Sequence, residues 1–554
     1  MRSFLQQHHR LIFYGVWVIL GLVQSGFTEL QDDEAYYRVY SKYLDWGYFD
    51  HPPMIAVLIK LGYAIFPNEL GVRFFPLLLN LLSVVIIEKQ LSNKNPFLFY
   101  SIVFSIAVLQ LAGFLAVPDI PLIFFTALFF LCYKRLAEKQ SWANGLLFGF
   151  SIVFLFYTKY HAVLIVLFTL LSNRKLLTKP AFYLGAFTAL ILYIPHLNWQ
   201  WQHHWVSFRY HLFESNVDPY KLSNTTAFLA GQLLIAGPLA GFILLPAAFL
   251  YKTRNETERA LKWTVTGIYI FFFLSSFRGK VEPNWTSPVL VPLIVLSHRY
   301  INERLSWKKW LVRLLPITIL LVFIMRIVMI ADILPIQAIK KRYHAWKVWP
   351  QQMKEKTNGL PVVFSNSYQR ASKYWFYTGQ TTYSQNHVRD HRNNYNFWPI
   401  EDELFIKPVY FLDIYDLDRF SDSLKTSIGT IGYRYDSSFI SFAKVIIRSR
   451  FNKYILVKSS ELTLYCSGHM SPDYWNYIKA HPEIKYNINL IILDKKRIIK
   501  AIPLQLKFSD LSPKSFVVRI NPGLLPGKYD MRFSIDVPGY NPTHNSEKIK
   551  LIIR

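Results

Sequence analysis

The sequence contains only two cysteines in 554 residues, Cys132 inside an apolar run and Cys466 in a polar region. Such usage excludes a disulfide framework and a thiolate metal site. Acidic residues are scarce as well: Asp and Glu number 35 against 62 Lys and Arg, a formal net charge of +27. No internal repeat or low-complexity tract occurs, which excludes a solenoid. Charge of either sign is nearly missing from Pro76–Ile87, Pro96–Val117, Leu122–Tyr133, Leu146–Tyr157, Ala181–Ile194, Ala227–Leu250, Thr264–Ser276 and Leu311–Ile330.

What is present is apolar and aromatic, 52% and 17% of the chain, more than an average soluble domain carries. Several runs approach the roughly 20 residues that cross a hydrocarbon core. The chain is therefore read as a polytopic α-helical membrane protein. On a soluble protein the basic excess would point to nucleic acid. Here Lys134/Arg135/Lys139, Arg174/Lys175/Lys179, Lys252/Arg254/Arg259 and His298/Arg299/Arg304/Lys308/Lys309 flank short breaks between apolar runs. The positive-inside rule makes these loops cytoplasmic, facing anionic lipid, and no nucleic-acid partner is expected.

The first apolar run, Leu11–Phe27, follows Arg2, His8, His9 and Arg10 without a good cleavage site, and reads as an uncleaved span. A cytoplasmic N-terminus then places segments 28–69, 114–119, 199–225 and 278–286 outside. About eleven spans fit this topology. Residues 1–334 form the membrane domain and 335–554 an extracytoplasmic one, where Val409–Asp413 and Tyr454–Lys458 alternate like strands. Turn-separated strands suggest a small β-sandwich at about 500–554. In the first outside segment, Tyr36, Val39, Tyr40, Tyr43 and Leu44 recur at helical spacing within Ala35–Trp46, as in a helix lying among headgroups.

Carboxylates near span ends need explaining, because they are costly at membrane depth. Asp32-Asp33-Glu34, Asp50-His51, Asp119 and Glu282 all fall on the outside face. Asp33 suits a group that binds or deprotonates an acceptor hydroxyl or amine, and it equally suits a helix cap. Asp119 carries the same two readings. Asp50-His51 could hold a divalent metal or stabilise a turn, and the His-rich stretch 195–211 supplies His204 as a further ligand. Most of that stretch suits interfacial anchors. Lys159, Arg209, Arg278 and Lys280 are cations able to hold a phosphate; Arg278 and Lys280 suit headgroup anchors equally, whereas Lys159 interrupts an apolar stretch.

These residues fall into an ordered set. Asp33-Glu34-Ala35-Tyr36-Tyr37 and Asp45-Trp46-Gly47-Tyr48-Phe49-Asp50-His51-Pro52-Pro53-Met54 are followed by Val117-Pro118-Asp119 and Thr158-Lys159-Tyr160. Next come Trp205-Val206-Ser207-Phe208-Arg209-Tyr210, Gly279-Lys280-Val281-Glu282-Pro283-Asn284-Trp285, Tyr368-Gln369-Arg370-Ala371 and Arg392-Asn393-Asn394-Tyr395. Over about residues 10–400 the set resembles the bacterial branch of the dolichyl-phosphate-mannose–protein mannosyltransferase family, with the lipid A aminoarabinose transferases as relatives.

The resemblance implies the GT-C fold, helices around a cavity at the outer leaflet followed by an extracytoplasmic domain. It also implies a monomeric inverting glycosyltransferase of the bacterial inner membrane that takes sugar from a polyprenyl-phosphate carrier, without a nucleotide at the site. The acceptor would be lipid, glycan or protein. Asp33, Glu34 and Asp119 are the implied catalytic carboxylates; Lys159, Lys280, Arg209 and Tyr37 are implied at the carrier phosphate. Relatives bind a metal through a Glu where this chain has Asp50, so Asp50, His51 and His204 are the candidate ligands of a divalent ion. The rival readings are a transporter or flippase, disfavoured by the lack of repeated halves and broken helices, and a catalytically silent scaffold.

Overall fold

Backbone polar groups in lipid must be satisfied within the chain, so apolar runs fold as helices. The computed structural model describes residues 7–91, 95–215, 219–457, 460–495, 497–511 and 515–554; Arg2 and Lys458 lie outside the described residues. Two compact units result, 1–344 and 345–554, with the division ten residues beyond the 334/335 boundary expected from composition.

Among the described residues, five helices of the first unit are long and apolar enough to cross a membrane: His9–Phe27, Glu69–Lys89, Asp119–Glu138, Pro180–Gln202 and Leu305–Ile330. Leu222–Ala236 and Gly241–Leu250 make a sixth if counted together, but they bend by 92°. The expectation that no helix is broken is thereby corrected. Met54–Ile65, Pro96–Ser105, Trp142–Phe156 and Ala162–Ser172 are apolar but shorter than a full span. Local breaks account for the difference. The run Pro96–Val117, for instance, divides at Ile106 into helices Pro96–Ser105 and Ala107–Leu111.

Packing follows membrane rules. Helix Leu305–Ile330 exposes Ile317, Leu320, Phe323 and Ile324, the outward apolar surface that lipid tolerates and water does not. Helices Trp142–Phe156 and Pro180–Gln202 cross at Gly145, Gly149 and Gly185, where an added Cβ would come within 2.6 Å of a facing carbonyl oxygen. Small residues at this spacing let two helix backbones touch.

The first outside segment departs from its sequence reading. Its helix, Asp32–Tyr40, starts at a capping box in which Gln31 is the cap and Glu34 closes it. The tyrosine face expected among headgroups is instead buried inside the protein, with Tyr40 tilted against Tyr48 at 4.1 Å between ring centres. The loop that follows is pinned to the 196–207 region. Trp199 Nε1 donates to Asp45 Oδ2 at 2.7 Å, Ser207 Oγ donates to the Tyr48 carbonyl at 2.7 Å, and His196 Nδ1 meets the Trp46 carbonyl at 2.7 Å. Gly47 is required there, since a Cβ would sit 2.4 Å from the Trp199 ring. The Asp-Trp-Gly-Tyr run and part of the His/Trp-rich stretch thus form one structural clasp.

In the second unit, strands β1 (Val362–Ser365), β2 (Thr382–Gln385), β3 (Val409–Asp413), β4 (Asp422–Thr426) and β5 (Gly429–Asp436) form a sheet in the order β2-β1-β3-β5-β4. The first three run parallel; β5 runs antiparallel to β3 and β4 antiparallel to β5. Strands β6 (Ile446–Ser449), β7 (Lys453–Leu456), β8 (Leu462–His469), β9 (Asn487–Asp494), β10 (Arg497–Leu504), β11 (Ser515–Ile520), β12 (Gly527–Asp536) and β13 (Ile549–Ile553) form two further sheets, β10-β9-β12-β13-β7 and β11-β8-β6. The β-rich region therefore begins near residue 446 rather than 500, because the C-terminal strands complete their sheets with earlier ones.

Candidate functional site

One cavity of about 230 Å³ in the first unit gathers residues from all four segments read as outside. Asp33, Tyr37 and His51 come from the first, Val117, Pro118 and Asp119 from the second, His211 from the third, and Glu282, Asn284 and Trp285 from the fourth. The break between helices Trp142–Phe156 and Ala162–Ser172 adds Lys159, Tyr160 and His161.

Asp33 is the second residue of its helix, not the cap, and opens onto the cavity. Surrounding protein and the carboxylates of Asp32 and Asp50 push its carboxyl up to about 6, with Arg342 opposing. The side chain is exposed, so water reaches the carboxylate as well. His51 is shifted the opposite way. Burial, with Lys159 and His211 nearby, lowers it to about 4, against the pull of Asp50. A neutral imidazole at this place offers hydrogen bonding rather than charge, and its buried Nδ1 takes no partner among the described residues.

Asp119 heads helix Asp119–Glu138, yet its carboxylate reaches across the bundle instead of capping. Oδ1 accepts from Lys159 Nζ at 2.9 Å and from Ser287 Oγ at 2.8 Å; Oδ2 accepts from Asn284 Nδ2 at 3.0 Å. Lys159 and Asp119 are thus an ion pair shielded from solvent, with side chains 6% and 11% exposed. An ammonium carries three N–H donors. Asp119 takes one of those of Lys159, and the residue still lines the cavity.

Other residues named from the sequence stand elsewhere. Glu34, implied as catalytic by the resemblance, is not among the residues that line the cavity. It is fully buried, and Arg73 binds it through two bonds, Nε to Oε1 at 2.7 Å and Nη2 to Oε2 at 2.6 Å. The amides of Ala116 and Gln31 donate to the same carboxylate, both at 2.9 Å. Arg73 in turn donates to the carbonyls of Ser25, Thr28 and Glu29. Lys280 does not line the cavity either; it is exposed and pairs with Glu282 at 2.7 Å. Arg209 lies on the short helix Val206–Arg209 and is not among the lining residues.

The candidate metal ligands do not assemble. Asp50 accepts a hydrogen bond from the Tyr40 hydroxyl, and its carbonyl meets His211 Nε2 at 2.9 Å. His204 is exposed, in a left-handed conformation at φ 55°, and does not line the cavity. Among the described residues no three His, Cys, Asp or Glu side chains are grouped to hold a metal ion, so this donor set does not fit one.

Sequence reading overlooked Arg73 and Ser287. A lone Arg inside the otherwise apolar Val72–Ile87 was a usable signal. Ser287 gave none, since a serine near a span end is unremarkable.

Comparisons with known proteins agree with the fold. A family model described as dolichyl-phosphate-mannose-protein mannosyltransferase matches residues 50–199. Among curated proteins, lipid A galacturonosyltransferase RgtD of Rhizobium johnstonii is 24% identical over 307 residues, 51% of this chain and 64% of that protein. An uncharacterized protein of Aquifex aeolicus is 26% identical over 272 residues, 47% of this chain and 54% of that protein. The chain thus spans less than two thirds of the length of these relatives. The crystal structure of ArnT from Cupriavidus metallidurans in the apo state superposes with a TM-score of 0.59 at 13% identity, covering 77% of this chain and 98% of that one. The chain therefore has an ArnT-like GT-C fold, and its sequence is similar to the mannosyltransferase family model over one stretch and to a lipid A galacturonosyltransferase over about half its length.

Proposed function

We propose that the protein is an inverting glycosyltransferase of the inner membrane that moves a sugar from a polyprenyl-phosphate carrier to an extracytoplasmic glycolipid. The observation that carries this reading is that Asp33, with its raised carboxyl, and Lys159, shielded in its pair with Asp119, line one cavity. In the reaction, the bond between the anomeric carbon and the carrier phosphate oxygen breaks, and its electron pair stays on the phosphate. The acceptor oxygen bonds the anomeric carbon from the opposite face, and its proton passes to Asp33. Lys159 stabilises the departing phosphate with the N–H donors not given to Asp119. Asp119, itself held by Asn284 and Ser287, fixes that ammonium in place, and Tyr37 and neutral His51 position hydroxyls. A carboxylate near 6 is mostly ionised at neutral pH yet more basic than an ordinary one, which suits a general base.

The name of RgtD, a lipid A galacturonosyltransferase, supports a lipid A-type acceptor for this chain too. The bent pair Leu222–Ala236 and Gly241–Leu250 is the one feature that favours transport, but neither helix contributes to the cavity. The test is transfer of label from radiolabelled polyprenyl-phosphate sugars to a membrane lipid extract by detergent-purified protein. Transfer by wild type but not by Asp33→Asn supports the proposal. Equal transfer by both removes Asp33 from the chemistry, and no transfer from any donor by folded protein favours transport.

A further inference from the structure

The first sheet of the second unit contains a second cavity, and its position follows from topology. Strand β1 has β2 on one side and β3 on the other, and all three run parallel, so the chain changes direction across the sheet at β1. In open α/β sheets the crevice beyond the carboxyl ends of the strands at such a switch point is where ligands bind. A cavity of about 530 Å³ lies at those ends, lined among others by Ser365 of β1, Asn386 after β2 and Asp413 of β3. Tyr368 and Asn393 also line it, and both belong to sequence pieces that the membrane cavity leaves unused.

The chemistry of the lining narrows the ligand. Asp413 is 4% exposed; its Oδ1 accepts from the Tyr415 amide at 2.7 Å, while Oδ2 takes no hydrogen bond among the described residues. A carboxylate oxygen that opens onto a cavity without a protein donor is free to accept from a hydroxyl of a ligand. The charged groups around it are already paired: Arg419 with Asp416 at 2.6 Å, Arg389 with Asp390 at 3.6 Å. Asp413 is then left as the unbalanced charge of the lining, which disfavours a phosphate, and no three acidic or imidazole side chains are grouped there, among the described residues, to hold a metal cation. The remaining walls are the imidazoles of His387 and His391 together with amides and hydroxyls, with the rings of Tyr368 and Tyr415 among them and Tyr415 67% exposed. Carboxylate and amides for vicinal hydroxyls, with aromatic rings for the C–H faces, match a saccharide better than an apolar or ionic ligand.

We infer that this cavity is a second, non-catalytic site that binds a neutral saccharide through Asp413. The inference does not depend on the transferase reading. It is tested by titrating the full-length protein in detergent with the methyl glycosides of mannose, glucose, galactose and N-acetylglucosamine, read by calorimetry and ligand-observed NMR. At least one glycoside binds saturably, Asp413→Asn weakens it about tenfold, the loss of one charge-assisted bond, and Asp33→Asn binds as wild type. Tyr415→Ala, at an exposed position, also weakens binding and guards against a misfolded Asp413 variant. The inference is overturned if no glycoside saturates, if Asp33→Asn rather than Asp413→Asn removes binding, or if inorganic phosphate or calcium ion binds in an Asp413-dependent way and the glycosides do not.

Discussion

Lys159 and Asp119 form an ion pair at 2.9 Å in which neither side chain has much access to water. Removing one partner from such a pair strands a charge, at a cost of about 3–5 kcal/mol. Asp119→Ala should therefore lower the thermal stability of the detergent-solubilised protein strongly and abolish transfer with it. The double variant Asp119→Asn/Lys159→Met removes both charges together. It should recover most of the stability and none of the transfer, because the phosphate then lacks its ammonium. Recovery of transfer in the double variant would show the pair to be only structural.

Glu34 and Arg73 predict the opposite division. Their bidentate contact is fully closed off, and Arg73 also ties together the carbonyls of Ser25, Thr28 and Glu29. Glu34→Ala should leave little folded protein, again by about 3–5 kcal/mol. Transfer per folded molecule of the milder Glu34→Gln should stay within a few-fold of wild type, since the residue stands outside the cavity. A Glu34→Gln protein of normal stability and no activity would return Glu34 to the chemistry.

The pair shows what could and could not be read from the chain. Long apolar runs and basic loops were legible because hydropathy and charge act over many residues at once. Asp33, His51, Asp119 and Lys159 were legible as polar groups in costly places, and they do share a cavity. Asp33 and Glu34 are neighbours in one motif, however, and a helix turns successive side chains about 100° apart. One opens onto the cavity and the other faces Arg73, a difference set by a residue 39 positions away. The resemblance implied Lys280 at the carrier phosphate beside Lys159, yet Lys280 is exposed and pairs with its neighbour Glu282. For Glu34, and for Lys159 with Asp119, the partners lie far away in sequence, and a single sequence does not display them.

Asp33 gives a pH prediction with a definite sign. A general base works when ionised, and an ordinary Asp would keep activity down to about pH 4. With the carboxyl raised to about 6, kcat/KM should instead fall below about pH 6, by about tenfold per unit. Asp50→Asn removes a carboxylate that raises Asp33 and should move this limb to lower pH; Arg342→Ala removes an opposing charge and should move it up. Stability has the reverse sign. A raised carboxyl means that the fold favours its protonated form, so the Asp33 contribution grows as pH falls through 6 and is lost above it. Asp33→Asn should be at least as stable as wild type at pH 7.5 while inactive. A pH profile flat down to pH 4.5 would sink the assignment of Asp33 as base.

Lys159 and Lys280 make the sharpest comparison, since both were assigned to the carrier phosphate. The Lys280–Glu282 pair has side chains 67% and 46% exposed. Exposed pairs are worth about 0–1 kcal/mol. Lys280→Ala should then leave stability unchanged and alter kcat/KM for the polyprenyl-phosphate sugar by less than about twofold. Lys159→Met should keep less than about 1% of wild-type kcat/KM, the scale of removing one group that stabilises developing charge. Raising the donor concentration should not restore kcat, because the missing charge acts on the leaving phosphate more than on the bound ground state. Comparable losses in the two variants would mean that the carrier phosphate reaches the exposed edge at Glu282, and that the cavity holds only the sugar and the acceptor.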